Sequence, residues 1–423
     1  MKEHLLHYIW QFQLFAINQG LVTEQGERLT VFHPGHYLQT SGPDFFNAQL
    51  LIDNQLWAGN VEIHIKASDW YAHHHENDRA YDNVILHVVW EADMPVFRAD
   101  QSLIPVLILK DIVSPDLLDQ YQKLFEKKHW IACEDQIVEL DVVKALNWKE
   151  GLYVERLKQK TEPILELLSD TKQHWEQLFF VSLAKGFGLN ANGVFFENWA
   201  KRIPIEIVLK NSDDLLALEA LFLGGNGLLN EDVEDEYGQD LKKEWDFLKL
   251  KYQLEETPKG LVQFFKIRPD NFPTIRLAQL AAWYHENRNG AHLVLNAKSI
   301  EDFYKLFDVG VSDYWQTHFV FDKQSKKLPK KLSKKFIDLV ILNTIIPYLY
   351  VYFSAKEIDF SDRLFDLVRG LKPESNQVIL NYIKLGFVVE DALDSQALLQ
   401  LKKQYCDRKR CLECLVGRAI LYK

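Results

Sequence analysis

The hydrophobic pattern changes period part-way along the chain, and that change limits the fold more than any other feature. Through roughly the first 125 residues the apolar side chains are spaced as in strands. "NVILHVVWEA" (83–92) and "SLIPVLILKD" (102–111) are continuous β-branched runs suited to buried strands. "YLQTSGPDFFNAQLLIDNQLWAGNVEIHIKA" holds two apolar-rich runs about Asp53-Asn54, a hairpin signal. The polar and aromatic "SDWYAHHHENDRAYD" reads as loop and short helix. From Leu117 onward, segments such as "LNWKEGLYVERLKQKTEPILELL" and "HWEQLFFVSLAKGFG" space apolar residues three and four apart. The expectation is an α/β domain over 1–125 and an all-α region over 126–423, in one bundle or two, with breaks near 210, 257 and 325. There is no internal repeat and no low-complexity segment.

A chain of 423 residues exceeds what one core usually organises, which suggests two or three domains. A net charge of −11 argues against a protein that coats nucleic acid, yet leaves room for a nuclease with acidic ligands and local phosphate contacts. "DKQSKKLPKKLSKK" (322–335) gathers seven lysines, as a solvated loop or a phosphate-contacting one. "FIDLVILNTIIPYLYVYFSA" (336–355) is long enough to span a membrane. Asp338, Asn343 and Pro347 interrupt it, so it is expected to be a buried core helix kinked or ended near Pro347, and no membrane is expected as a partner. "MKEHLLHYIWQFQLFAINQG" suits an amphipathic helix better than a secretory segment, so the expected compartment is the cytoplasm.

In a strand, Glu62, His64 and Lys66 share one face while Val61, Ile63 and Ile65 share the other. An acid, an imidazole and an ammonium in a row are unusual on a strand that also packs a core. Eighteen residues before Glu62 stands Pro43-Asp44. Taken blandly, Pro43-Asp44 makes a turn or helix cap and Glu62 pairs with a lysine on a solvated face.

Helix, strand with Pro-Asp, hairpin, strand with Glu-x-basic, helix and strand resembles the core of the PD-(D/E)XK nuclease superfamily, the restriction-endonuclease-like fold of a mixed sheet with flanking helices. That resemblance implies that Asp44 and Glu62 hold one or two Mg²⁺ or Mn²⁺ ions, with the Ile63 carbonyl as a further ligand and Glu3 as an extra acid. The superfamily has lysine where this chain has His64. Histidine can serve as a base near neutral pH, or ligate metal and shift preference towards Mn²⁺ or Zn²⁺. Lys66, one step along the same face, could supply the ammonium instead.

"DWYAHHHENDRAYDNVILHVVW" adds His73, His75, Asp78 and His87. They either flank the carboxylates, where they could contact phosphate or a leaving group, or form the primary site of a different metal hydrolase, and their spacing matches no specific zinc motif. A histidine such as His87 with one polar partner inside the fold is the plainer alternative.

The chain has four cysteines: Cys133, then Cys406, Cys411 and Cys414 in a C-x4-C-x2-C run. Four thiolates suit a tetrahedral Zn²⁺ or a [4Fe-4S] cluster, which would tie the start of the helical region to its end; otherwise they are unrelated buried or free thiols. The layout is similar to iron-sulfur clasps in some nucleases of the superfamily, with a different spacing and with the lone cysteine after the nuclease core.

In "KIRPDNFPTIRLAQLAAWYHE" (266–286), Arg268 and Arg276 flank a helix start at Pro273, a place for nucleic-acid phosphate or for capping and salt bridges. "LFLGGNGLL" (221–229) lacks the Lys-Ser/Thr of a nucleotide loop and reads as a turn. Taken whole, "GPDFFNAQL", "GNVEIHIKASDW", "YDNVILHVVW", "RPDNFPTIRLAQLA" and "YCDRKRCLECLVG" resemble the signatures of a bacterial family catalogued as a domain of unknown function. The leading expectation is a metal-dependent nuclease acting on nucleic acid. Its rivals are an inactive nuclease-fold module that binds nucleic acid or protein, and a metal hydrolase built on His73, His75, Asp78 and His87 with another substrate.

Overall fold

The computed structural model describes residues 2–15, 20–38, 42–126, 129–137, 142–229, 233–255 and 262–421. The chain divides into two compact units: residues 1–142 together with 402–423, and residues 143–401. The expected division at 125/126 is thus moved to 142/143, and the C-terminal cysteine segment belongs with the N-terminal unit, not the helical one. The physical reason is apolar: Val416, Ile420 and Leu421 of the terminal helix Leu415–Leu421 are buried, and the Arg418 guanidinium lies 4.3 Å from the Phe12 ring centre.

The N-terminal unit opens with α1 (Glu3–Gln11), which buries Leu5, Leu6, Ile9 and Trp10. Seven strands follow: β1 (Leu21–Val22), β2 (Arg28–His33), β3 (His36–Tyr37), β4 (Phe45–Ile52), β5 (Gln55–Lys66), β6 (Val84–Glu91) and β7 (Val106–Ile108). They make one mixed sheet in the order β1-β2-β4-β5-β6-β7, with β3 beside β4. β1 to β5 pair antiparallel, whereas β5–β6 and β6–β7 are parallel. The β5–β6 crossover carries the short helix α2 (Asp69–Ala72) and two 3-10 turns.

The expected hairpin about Asp53-Asn54 is present, with Ile52 opposite Gln55. Asp53 adopts the left-handed region at φ 51°, and its Oδ1 accepts the Arg28 N–H at 2.9 Å, which holds the turn against β2. Beside Asp44 the β4–β5 register shifts between Phe45 and Ala48, at a bulge where Asn47 has φ 57°. Gly59 admits β6 closely: a Cβ there would lie 2.4 Å from Ile85 Cγ2 and 2.8 Å from the Asn83 carbonyl oxygen. β7 is shorter than the apolar run 102–111 suggests. Pro105 has no N–H to give a ladder, and Leu103 bridges to Phe97 instead.

A further helix, α3 (Pro115–Glu126), closes the unit's N-terminal segment. The helical unit begins with α4 (Val142–Asp170), and a large core cluster runs from Tyr153 to Leu393. The helix Ile205–Lys210 ends where a break is expected, and the break expected near 257 lies outside the described residues. Near 325 there is a small hairpin, β8 (His318–Val320) with β9 (Lys323–Gln324), so the unit is mostly but not wholly helical. The 221–229 segment is only partly turn, since its first five residues complete the helix Leu215–Gly225.

The apolar stretch 336–355 forms one long helix from Lys334 to Ala355, long and apolar enough by composition to cross a membrane, with 67% of its most apolar window buried inside the protein. It neither ends nor breaks at Pro347. Residues Ile341–Ile345 widen into a π turn just before the proline, which has no N–H to return to the preceding turn.

Candidate metal centre

The centre is built on β5, whose residues from Gly59 to His64 are buried. Covered by α1 and the α2 segment, this strand carries Glu62 at 5% and His64 at 1% exposure. A buried carboxylate and imidazole need partners. Glu62 Oε2 accepts the Asp44 N–H at 3.0 Å, and Asp44 Oδ2 accepts the Ile63 N–H at 3.0 Å. One oxygen of Glu62 is therefore anchored to the backbone. The other, Oε1, lies 3.6 Å from His64 Nε2 and 3.3 Å from His75 Nε2.

His64 stands between two further imidazoles. Its Nδ1 is 2.9 Å from His87 Nε2 on the neighbouring parallel strand, and its Nε2 is 3.1 Å from His73 Nδ1. One ring nitrogen from each of His64, His73 and His75 falls within 4.8 Å of the others. His73 is exposed, so the group opens to solvent on that side. His74 makes the convergence of its neighbours workable by taking a left-handed turn at φ 61°. His75 is fixed by stacking on Tyr81, with ring centres 3.8 Å apart, and Trp70 packs edge-on against it.

Burial sets the electrostatics. It pushes the Glu62 carboxyl above its ordinary range, with Asp44 adding to the rise and the His75 contact opposing it. It drives the His64 imidazole down to about 2, helped by His87, His75 and His73, and His87 down to about 3. His64 and His87 are accordingly neutral at physiological pH, with lone pairs available.

α1 adds residues on the other side of Asp44. His7 Nε2 lies 3.1 Å from Asp44 Oδ2 and 3.9 Å from Glu3 Oε1, and His7 Nδ1 is 3.1 Å from the Tyr37 hydroxyl. Burial raises the Glu3 carboxyl, with His7 opposing.

The candidates do not all converge. Asp44, Glu62, His64, His73, His75 and His87 come together, with Glu3 at the margin. Lys66 is exposed at the end of β5, its N–H donated to Asp69 Oδ2 at 2.9 Å. Asp78 is exposed and caps a 3-10 turn through the Ala80 N–H. In the helical unit, Arg276 is 5% exposed, donates to Gln279 and Asn271, and stacks 3.5 Å from the Phe336 ring centre. Arg268 is exposed and lines a cavity of about 790 Å³ with Lys160, Lys185 and Lys266. The lysine run is split: Lys330 is buried with its ammonium on the Trp315 and His318 carbonyls, while Lys331 pairs with Asp308.

A family model matches residues 3–377. The chain belongs to the DUF2851 family, proteins of unknown function. No curated protein and no solved structure matches it. The match takes in every residue of the centre and stops before Cys406.

Sequence reasoning passed over one residue of the centre in this DUF2851 chain, His7. Its signal was available: Glu3 and His7 are four apart on an amphipathic helix and so share a face. What the spacing could not give was that this face turns toward Asp44.

Proposed function

We propose that the N-terminal unit is a metal-dependent hydrolase, and specifically a nuclease that cleaves phosphodiester bonds in nucleic acid. The observation that carries the metal is the convergence of imidazoles on the Oε1 side of Glu62. His75 Nε2 sits 3.3 Å and His64 Nε2 3.6 Å from Glu62 Oε1. A carboxylate oxygen beside three imidazoles whose ring nitrogens lie within 4.8 Å of one another fits a shared cation. The residues that would hold it are Glu62, His64, His73 and His75. Three nitrogens and one carboxylate oxygen favour Mn²⁺ or Zn²⁺ over Mg²⁺, which prefers oxygen ligands. Such an ion supplies Lewis acidity and lowers the pKa of water.

The chain's own residues have separable tasks. Asp44 holds Glu62 through its N–H and presents its carboxylate beside His7. His87 orients His64 through the nitrogen that would face away from the metal. His7 Nε2, next to the Asp44 carboxylate, is the atom best situated to take or give a proton. Tyr81 stays a neutral phenol, its pKa raised to about 12 by burial and then by Glu62 and Asp44.

Two features support nucleic acid as the substrate. The order helix, antiparallel strands, short helix and parallel strands, with acids at Asp44 and Glu62, resembles that of the PD-(D/E)XK core and supports this reading. On the helical unit, the cavity with Lys266 and Arg268 and the adjoining one with Lys335 offer cationic groups for phosphate. The rival hydrolase on His73, His75, Asp78 and His87 draws on the same place, since His73, His75 and His87 lie against His64 or Glu62, whereas Asp78 stands apart. The deciding experiment is a cleavage assay on single- and double-stranded DNA and RNA with Mn²⁺, Zn²⁺ or Mg²⁺. Cleavage that Glu62→Ala removes supports the nuclease. Metal binding at the centre without cleavage of any nucleic acid turns the reading to the other substrate class, and no metal binding leaves a binding module.

A further inference from the structure

We propose that the cavity of about 790 Å³ in the helical unit binds a terminal phosphate monoester with an apolar body, held by Lys160, Lys266 and Arg268. The inference does not rest on the hydrolase reading, because the cavity lies wholly within residues 143–401.

α4 supplies one wall. Lys160, Ile164 and Leu167 are spaced four and three apart and so share a helix face. Another wall comes from the helix Lys334–Ala355, whose π turn Ile341–Ile345 brings Asn343 and Thr344 to the cavity. Widened turns of this kind recur at functional sites. The helix Trp175–Phe187 adds Val181 and Lys185, and its Gly186 admits the π turn closely: a Cβ there would stand 2.4 Å from Thr344 Oγ1.

Charge indicates the ligand. Lys160, Lys185, Lys266 and Arg268 line the cavity against two carboxylates, Glu197 and Glu374. Lys185 pairs with Glu197 at 2.8 Å, while Lys266 and Arg268 are exposed. Lys160 is held by uncharged groups: its ammonium donates to Asn343 Oδ1 and to Gln396 Oε1 at 2.8 Å each. The Arg156 guanidinium donates to that same Gln396 oxygen at 2.7 Å. Gln396 is fully buried, so two cations converge on one neutral oxygen beside the cavity. Cations gathered away from water favour an anion among them. In keeping with this, burial and then Arg156 lower the Lys160 ammonium to about 7, and a bound anion would restore its proton.

Four lining cations against two carboxylates leave an excess of two positive charges. A phosphate monoester matches it, carrying about −1.5 to −2 at pH 7 with three acceptor oxygens. Ile164, Leu167, Val181 and Leu339 offer an apolar surface to the rest of the ligand, and the volume suits one small molecule.

The test is calorimetry on the full chain, stripped of metal and exchanged into metal-free buffer, with phenyl phosphate, inorganic phosphate and benzoate as probes. Of the three, phenyl phosphate is expected to bind most tightly and benzoate least. Lys160→Met is expected to weaken phenyl phosphate binding by about tenfold or more, through loss of a charged donor. If that variant does not fold, the exposed Arg268 takes its place, with about a threefold loss expected for Arg268→Ala. His64→Ala, at the metal centre, is expected to change nothing, which keeps this outcome separate from that of the hydrolase. A 5′-phosphorylated dinucleotide that binds better than both its 5′-hydroxyl form and phenyl phosphate assigns the phosphate to a strand end; phenyl phosphate ahead of it assigns the phosphate to a small molecule. Benzoate binding as well as phenyl phosphate, no binding of either phosphate probe at millimolar concentration, or binding that both substitutions leave unchanged, overturns the proposal.

Discussion

Asp44 donates its N–H to Glu62 Oε2 at 3.0 Å, and its own Oδ2 accepts the N–H of Ile63, the residue after Glu62, at 3.0 Å. Glu62 therefore has one oxygen held by the backbone and one facing the histidines. Glu62→Gln keeps an oxygen for the Asp44 N–H while removing the anionic ligand, so stability should change by no more than about 1 kcal/mol. Affinity for Mn²⁺ or Zn²⁺ should fall at least tenfold, read by calorimetry beside a urea titration. Glu62→Ala should in addition lose about 1–3 kcal/mol, because the Asp44 N–H loses its acceptor.

His87 touches only His64 among the proposed ligands by hydrogen bond, and it acts by fixing that ring's orientation. His87→Phe should weaken metal binding by roughly 10- to 100-fold with His64, His73 and His75 all present. An unchanged dissociation constant would reduce His87 to a packing residue.

Glu219 gives a pH signature to the helical unit. It is fully buried, its Oε2 accepts the Tyr237 hydroxyl and the Trp315 indole N–H at 2.8 Å each, and Oε1 has no partner. Burial raises its pKa from 4.5 to about 7. Between those values the unfolded chain has released the proton that the folded chain retains, so stability falls as pH rises through this window. The loss is complete above about pH 7 and amounts to about 3 kcal/mol at most. Urea unfolding at pH 5 and pH 8 should show this difference, and Glu219→Gln should largely abolish it.

The two arginines of the helical unit should behave differently. Arg268→Ala should leave stability within about 0.5 kcal/mol and, if the cavity contacts nucleic acid, lower the salt dependence of binding by about one unit of slope. Arg276→Ala should instead cost about 2–3 kcal/mol, since it strips hydrogen bonds and a stacked contact from a buried site.

Gly59→Ala should destabilise the sheet by about 1–3 kcal/mol in urea titrations, because the added methyl would meet Ile85 and the Asn83 backbone.

The pattern of strands and helices was legible because period 2 and period 3.6 leave different marks, and the Asp53-Asn54 hairpin and the Pro273 helix start carry their own local chemistry. Glu62 and His64 were legible as polar residues on a strand otherwise made for a core. The meeting of His73 and His75 with Glu62 was not, because it depends on a left-handed residue, His74, within a crossover that has no period. Arg276 was misleading for a related reason. A guanidinium at a helix start looks the same in sequence whether it faces solvent or lies on Phe336.

Residues 402–423 belong to the unit that residues 1–142 begin. On the ribosome, then, the sheet and its histidines emerge first and wait while the whole helical unit is made. Three of the four cysteines arrive only after the helical unit has been made. A chain stopped after residue 401 should keep the helical core and the sheet's hydrophobic pattern but never close the first unit. Pulse-labelled, stalled nascent chains should become protease-resistant in that order, helical unit before N-terminal unit.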